Sequence, residues 1–294
     1  MPRSYSHDYR SRCIYHITLR KAAGVPSFGH LCGELPSAGI MRSLHGKIIE
    51  KHIRRLPLLN PAIKLLQYCI MPDHVHLLLF VTSPLDMHLG NYIGRLKILI
   101  FQECRAVTGS GISIFEDDFY DCILHSGRSL DTIYRYIRSN PHRLAVRKLH
   151  PEFFQRVNTL PIGDKTYAAY GNFQLLDNPF KEQVVIHRAD TEAKRQADRE
   201  LWLYTAANGG VLVSPFISPA EKAIRAQAES TGGRFILITD TQMPPRYKPS
   251  SRDFALCEQG RLLIITLSSP SSRLSRQTCL AMNTLASLIA SLKQ

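Results

Sequence analysis

The stretch IKLLQYCIMPDHVHLLLFV, residues 63 to 81, is long and apolar, yet Pro72-Asp73 interrupts its middle and two histidines follow. A proline has no N–H to give to a strand ladder, so inside such a run it marks a turn, a bulge or an edge. The stretch therefore reads as two strand segments, with the histidines opening the second. Side chains at i and i+2 leave a strand on the same side, which sets His74 and His76 together while Val75 and Leu77 point the other way. Two adjacent imidazoles are a ready pair of metal ligands, although the spacing alone equally suits a polar sheet face.

Upstream, CIYHITLR (13 to 20) alternates and is rich in β-branched and aromatic residues, the pattern of a strand. A Gly/Pro-rich loop or irregular hairpin covers 22 to 39, and GKIIEKHIRRL (46 to 56) has helical spacing with Ile48, Ile49, Ile53 and Leu56 on one side. Downstream, LDMHLGNYIGRLKILIFQECR (85 to 105) predicts a long amphipathic helix starting near Ser83-Pro84, and FYDCIL (119 to 124) a short strand. SLDTIYRYIRSNPHRLAV predicts a helix capped by Ser129 and stopping near Asn140-Pro141. Strand, helix, strand pair, helix, strand, helix is the order of an α+β fold, an antiparallel sheet covered by helices.

Residues 151 to 180 hold no sustained period and read as an extended connector between a first domain, 1 to 150, and a second, 181 to 294. The second holds four short apolar runs, QVVIHRA, GGVLVSPFIS, GRFILITD and GRLLIITL, with PAEKAIRAQAES and SRQTCLAMNTLASLIASL helical between or after them. Strands and helices alternating in this way predict a parallel α/β domain.

With 294 residues, 44 % of them apolar, the chain can build two cores. No run reaches the roughly 18 to 20 apolar residues of a membrane helix, and the N-terminus has no apolar leader region, so a soluble, cytoplasmic chain is expected. Seven scattered cysteines at no zinc or redox spacing read as buried free thiols, which excludes a disulfide-built scaffold. The net charge of +13 is uneven: residues 1 to 150 carry 20 Lys/Arg against 11 Asp/Glu, and the remainder 17 against 13. A positive field of that size favours a polyanionic partner, most often nucleic acid.

The second motif is YIRSNP, residues 136 to 141. On a helix Tyr136 and Asn140 are i and i+4, neighbours on one face, so a phenol and an amide are presented together. Asn140 before Pro141 also suits a plain helix end, and Tyr136 an ordinary core position. YCIMPDHVHLLL, then FYDCIL, then YIRSNP some 60 residues after the histidines together resemble the single-tyrosine HUH transposases. The likeness is strongest to the REP-associated tyrosine transposase branch of the insertion-sequence transposase-like superfamily, and it covers roughly residues 8 to 150.

That resemblance implies a ferredoxin-like sheet whose central strand holds the histidine pair, followed by a helix bearing a nucleophilic tyrosine. By position, His74, His76 and Asn140 would bind a divalent cation, Mg²⁺ or Mn²⁺, and Tyr136 would attack single-stranded or hairpin DNA. The chemistry is coherent on general grounds. A free phenol, with pKa near 10, is a poor nucleophile at neutral pH, and a phosphodiester repels anions. A cation gripping a non-bridging phosphate oxygen lowers both obstacles. Attack by the phenol leaves a 5′-phosphotyrosine and a free 3′ hydroxyl, and another 3′ hydroxyl can reverse it, so one site nicks and rejoins strands. A nucleoid-associated place in the cytoplasm and a homodimer, through ILIFQEC on the long helix, are further expectations.

Rival residues have simpler readings. Tyr134 faces nearly the opposite way from Tyr136 on a helix, and Tyr120 suits core packing or DNA stacking. Glu116, Asp117 and Asp118 in FEDDF suit a solvated turn, and His88 and His125 stand at no ligand spacing. Arg95 and Lys97, in NYIGRLK, and Arg138 and Arg143, near the tyrosine, are expected at DNA phosphates. Two other activities keep the same motifs open: a replication or conjugation nickase, and a domesticated, non-catalytic regulator that binds hairpin DNA. The second half faintly resembles the Rossmann-like fold of DNA-processing protein A, which would place a phosphate near Ser214 or Ser218 at a helix N-terminus.

Overall fold

The computed structural model describes residues 7–124, 127–267 and 275–292. The chain divides into two compact units, Met1–Val146 and Arg147–Gln294.

The first unit runs β1 (Cys13–Arg20), β2 (Gly29–Cys32), β3 (Gly39–Arg42), α1 (Leu44–Arg54), α2 (Leu56–Leu59), β4 (Ile63–Ile70), β5 (His74–Val81), α3 (Leu89–Thr108), β6 (Tyr120–Leu124) and α4 (Gly127–Leu149). Its four-stranded sheet has the order β4-β5-β1-β6, every neighbouring pair antiparallel. β2 and β3 pair separately as a small hairpin within the Gly/Pro-rich stretch. A β-α-β-β-α-β chain with this order has the split connectivity that ferredoxin-like sheets share. The Pro72-Asp73 break is a tight turn: Met71 N–H bonds the His74 carbonyl, and β4 reverses into β5 there.

β1 and β5 are the inner strands, and helices cover both faces of β5. Tyr15, Ile17 and Leu19 of β1 and Val75, Leu77, Leu79 and Val81 of β5 bury one face against Ile49 and Ile53 of α1 and Tyr92, Ile93, Leu96 and Ile100 of α3. The second face has a dry end, where Leu78 and Leu124 meet Ile137 of α4, with Ile14, Ile133 and Tyr136 packed around them. Ile137 is fully buried. Ile137→Ala is expected to cost about 2–5 kcal/mol of stability, the range for deleting a buried isoleucine side chain, read by urea unfolding of the intact chain.

Two helix boundaries differ from expectation. α3 starts at Leu89, not near Ser83, because the His88 side chain caps it by accepting Gly90 N–H at 3.0 Å. α4 runs through Pro141 and does not stop at Asn140. Pro141 has no N–H, so the Ile137 carbonyl loses its ladder partner. The Asn140 side-chain amide compensates, donating to the Tyr136 carbonyl at 2.9 Å and, at a long 3.5 Å, to that of Ile137. The Ser129 side chain and His125 lie outside the described residues.

The second unit runs β7 (Gln155–Ile162), β8 (Lys165–Gly171), β9 (Lys181–Gln183), α5 (Glu192–Ala207), β10 (Val211–Ser214), α6 (Pro219–Ser230), β11 (Arg234–Thr239), α7 (Ser251–Cys257), β12 (Leu262–Thr266) and α8 (Arg276–Ser291). Its six-stranded sheet, β7-β8-β12-β11-β10-β9, is mixed: β9 to β12 are parallel, and β8 and β7 add antiparallel strands beside β12. Two expectations are corrected here. The stretch 151 to 180 is no extended connector, since β7 and β8 form a hairpin built into the sheet, and the sheet is not wholly parallel. The run QVVIHRA lies mostly after the strand, which ends at Gln183. β10 and β12 are buried throughout, as inner parallel strands are. The four parallel strands follow chain order without reversal, so they form none of the crevices that open where strand order switches. Among the described residues, no helix is long and apolar enough to cross a membrane.

Candidate metal and tyrosine site

The second face of the first sheet carries Arg20, Thr18 and His16 from β1, because each pairs with a residue on that side of β5: Arg20 with His74, Thr18 with His76 and His16 with Leu78. Directly paired residues share a face, so strand register alone assembles this row. The His74 and His76 rings meet edge to face, with their Nε2 atoms 3.1 Å apart. His76 is 2 % exposed.

Both Nδ1 atoms are already engaged. His74 Nδ1 lies 2.7 Å from Asp73 Oδ1, and the His74 imidazole holds that carboxyl below the usual carboxylate range. His76 Nδ1 lies 3.0 Å from both Thr18 Oγ1 and His16 Nε2. With Asp73 accepting the Nδ1 proton, His74 turns a bare Nε2 lone pair toward His76. If His76 likewise donates from Nδ1, two lone pairs confront each other at a partly buried site, an arrangement that a cation relieves. Two donors bound at right angles to one Mg²⁺-sized ion sit about 3 Å apart, so the observed spacing fits. Imidazoles held through the far nitrogen by a carboxylate or hydroxyl are typical of metal ligands. Among the described residues, no group of three His, Cys, Asp or Glu side chains is placed to hold a metal.

Tyr136 comes to this row from α4. Its ring centroid is 5.6 Å from that of His76 and 6.3 Å from that of His16, edge-on to both. Asn140, one turn on, is buried, and its amide nitrogen serves the helix carbonyls, leaving Oδ1 as its ligand-capable atom.

The expected phosphate contacts divide. Arg95 and Arg138 are exposed, and Arg138, two residues beyond Tyr136, projects from a different side of α4. Lys97 is tied down, its ammonium donating to the carbonyls of Glu116, Asp117 and Asp118 at 2.7, 2.9 and 3.4 Å. The residues of that acidic turn are exposed, and Lys97 uses only their backbone. Arg143 does not stand at the surface: it is 6 % exposed, with its guanidinium carbon 5.4 Å from the Tyr136 ring centroid. His16, Thr18 and Asp73 are the site residues that motif reading missed. The alternation of CIYHITLR put His16 and Thr18 on one strand face, but only register brings that face to His76.

In the second unit, the helix N-terminus expected to cradle a phosphate is already filled. The buried Glu221 carboxylate accepts N–H bonds from Ile217 and Ser218 at 2.9 Å and from Ile186 at 3.2 Å, while Ser218 Oγ accepts Glu221 N–H. This is a capping box closed on itself. Ser214 Oγ donates to the Val184 carbonyl and accepts Phe216 N–H, so neither serine is turned to a ligand.

A small antiparallel sheet with helices on both faces defines the first unit as an α+β domain, and one face of that sheet brings a pair of imidazoles beside a tyrosine ring. Residues 45–140, which contain all four motif residues, match the family described as IS200-like transposase. That match makes this part of the chain similar to IS200-like transposases and supports a DNA-processing role for it. A protein of Haemophilus influenzae described as uncharacterized is 21 % identical over 155 residues, 46 % of this chain and 83 % of its own length. A REP-associated tyrosine transposase, solved bound to a REP hairpin, is similar in structure with TM-score 0.36 and 13 % identity, over 48 % of this chain and 73 % of its own. DNA processing protein A of Helicobacter pylori, described for its single-stranded DNA binding mode, is similar with TM-score 0.34 and 18 % identity, over 47 % of this chain and 66 % of its own.

Proposed function

We propose that the first unit is a metal-dependent single-strand DNA endonuclease and strand transferase that works through a 5′-phosphotyrosine on Tyr136. The observation that carries this reading is the Tyr136 ring packed 5.6 Å from His76, over a histidine pair whose Nε2 atoms converge to 3.1 Å.

His74 and His76, with Asn140 Oδ1, are the groups that would hold Mg²⁺ or Mn²⁺, and the bound ion would neutralise charge on the scissile phosphate. Asp73 and the Thr18–His16 pair orient the two imidazoles, and α4 carries the phenol to them. The phenol oxygen attacks phosphorus and gives up its proton, the bond from phosphorus to the 3′ oxygen breaks, and that oxygen leaves as a hydroxyl on taking up a proton. Attack by a second 3′ hydroxyl on the phosphotyrosine runs the step backward and releases Tyr136. Neither direction needs a nucleotide cofactor, because the phosphotyrosyl bond conserves the energy of the bond that was cut. Arg143, against the Tyr136 ring, supplies positive charge where the phenolate and phosphate meet.

Single-stranded or hairpin DNA is the proposed partner, which places the protein with the nucleoid in the cytoplasm. The proposed homodimer rests on Ile98 and Leu99, which α3 leaves exposed. The second unit is proposed as an accessory to DNA handling, with no phosphate site at α6.

Incubated with end-labelled hairpin DNA and Mn²⁺ or Mg²⁺, the protein is expected to yield a denaturant-resistant protein–DNA adduct, and EDTA to abolish it. Joining of the held strand to a second oligonucleotide separates the transferase from a nickase. Tight DNA binding with no adduct under any metal would support a non-catalytic regulator instead.

A further inference from the structure

The sheet face that carries the histidines is covered unevenly. At one end Leu78 and Leu124 lie dry beneath Ile137. At the other end, Arg20 pairs across the strands with His74, while Tyr120 on β6 pairs with Thr18, which pairs in turn with His76. His76, Thr18 and Tyr120 thus form one row across three strands, and with strands about 4.8 Å apart Tyr120 stands roughly 10 Å from His76 along the sheet. β6 is the edge strand of this sheet.

Tyr120 is 43 % exposed, on a face whose other aromatic and aliphatic side chains are largely enclosed. The Arg20 guanidinium carbon lies 4.5 Å from its ring centroid, a cation–π layer that holds the ring and adds positive charge. An exposed aromatic ring backed by arginine, beside a phosphate-competent site, has the make-up of a single-strand stacking platform.

We propose that Tyr120, layered with Arg20, binds by stacking the unpaired nucleobase next to the phosphate held at His74 and His76. The placement of that phosphate rests on the Tyr136 reading; the stacking itself does not. Arg20 meets the backbone beside the stacked base, so the platform favours unpaired DNA, whose base faces are free. Any of the four bases can occupy it, since each offers a π face.

The test is equilibrium binding of fluorescently labelled oligothymidylate by anisotropy, in EDTA and in the Tyr136→Phe background, where no cutting intervenes. Adding Tyr120→Ala is expected to weaken binding about 5- to 150-fold, the range for one stacked base, while Tyr120→Phe and Tyr120→Trp hold the parent affinity. An abasic strand of the same length is expected to bind the parent protein and the Tyr120→Ala variant equally. Thermal melts confirm that each variant is folded. Parent affinity in Tyr120→Ala, an equal loss in Tyr120→Phe, or the same loss on the abasic strand would overturn the proposal. Failure of the wild-type protein to form an adduct would sink the Tyr136 reading and leave this result standing, so the two are separable.

Discussion

Tyr136→Phe is expected to abolish the protein–DNA adduct and all nicking, with a fall of about 10⁴-fold or more, the scale on which covalent enzymes fail without their nucleophile. The substitution removes one oxygen. The ring stays, and with it the contacts to His76, His16 and Arg143 that depend on the ring. The bonds that Asn140 and Ser139 make to residue 136 go to its carbonyl, so the helix and the Pro141 accommodation survive. Metal binding and DNA binding should therefore match the wild type while chemistry disappears. Tyr134→Phe, two residues away on an exposed side of α4, is the control and should cut normally.

The second large effect is expected at the histidines. His76→Ala removes the ligand that is most enclosed and also leaves Thr18 and His16 without the Nδ1 they address. Mn²⁺ affinity should fall by more than about 100-fold, beyond the 10- to 100-fold typical of losing a residue that only orients a ligand. His74→Ala should do the same to affinity at less cost to stability, because His74 is only half-buried. Asp73→Asn belongs to the orienting class: it keeps the shape and removes the charge that accepts the His74 Nδ1 proton, so a loss of about 10- to 100-fold is expected. Isothermal titration with Mn²⁺, without DNA, reads all three directly, and unchanged affinity in His76→Ala would contradict the assignment of the pair.

Much of the first unit was legible because its strands obey a period of two. β1 alternates clearly, β5 opens on His-Val-His before running apolar because both its faces are covered, and Pro72-Asp73 marked the turn between β4 and β5 in the residues themselves. The facing of His74 and His76 followed from that period, and the sharing of a face by Tyr136 and Asn140 followed from 3.6 residues per turn. Residues far apart in the chain were another matter. Nothing local tells that His16 abuts His76, since the contact is made by the register of β1 on β5. Arginine usually stands at a surface, yet α4 continues past Pro141 and carries Arg143 inward against the Tyr136 ring.

The second unit was harder to read for a related reason. β7 leaves half of its residues exposed and contains Pro161, so no apolar alternation announced it. The signal that was present is the two-residue Gly163-Asp164 turn, with Ile162 paired to Lys165 across it and Gly163 at φ +61°. α5 was missed because its apolar stripe is thin: Trp202 and Ala206 are buried while Leu201 and Tyr204 face outward. At α6 the sequence pointed correctly to a helix start after Ser218 but not to its occupant, since it takes the fold to show Glu221 filling the place a phosphate would take.

The central claim is a covalent bond between the Tyr136 oxygen and a DNA 5′ phosphate, made over the His74–His76 pair. It is tested most directly by digesting the adduct formed with hairpin DNA and Mn²⁺ and mapping the modified residue by peptide mass spectrometry. A nucleotide mass carried on Tyr136, with none on Tyr134 or Tyr120, is the predicted result. A nucleotide on any other residue, or cleaved DNA with no modified peptide, would contradict the account.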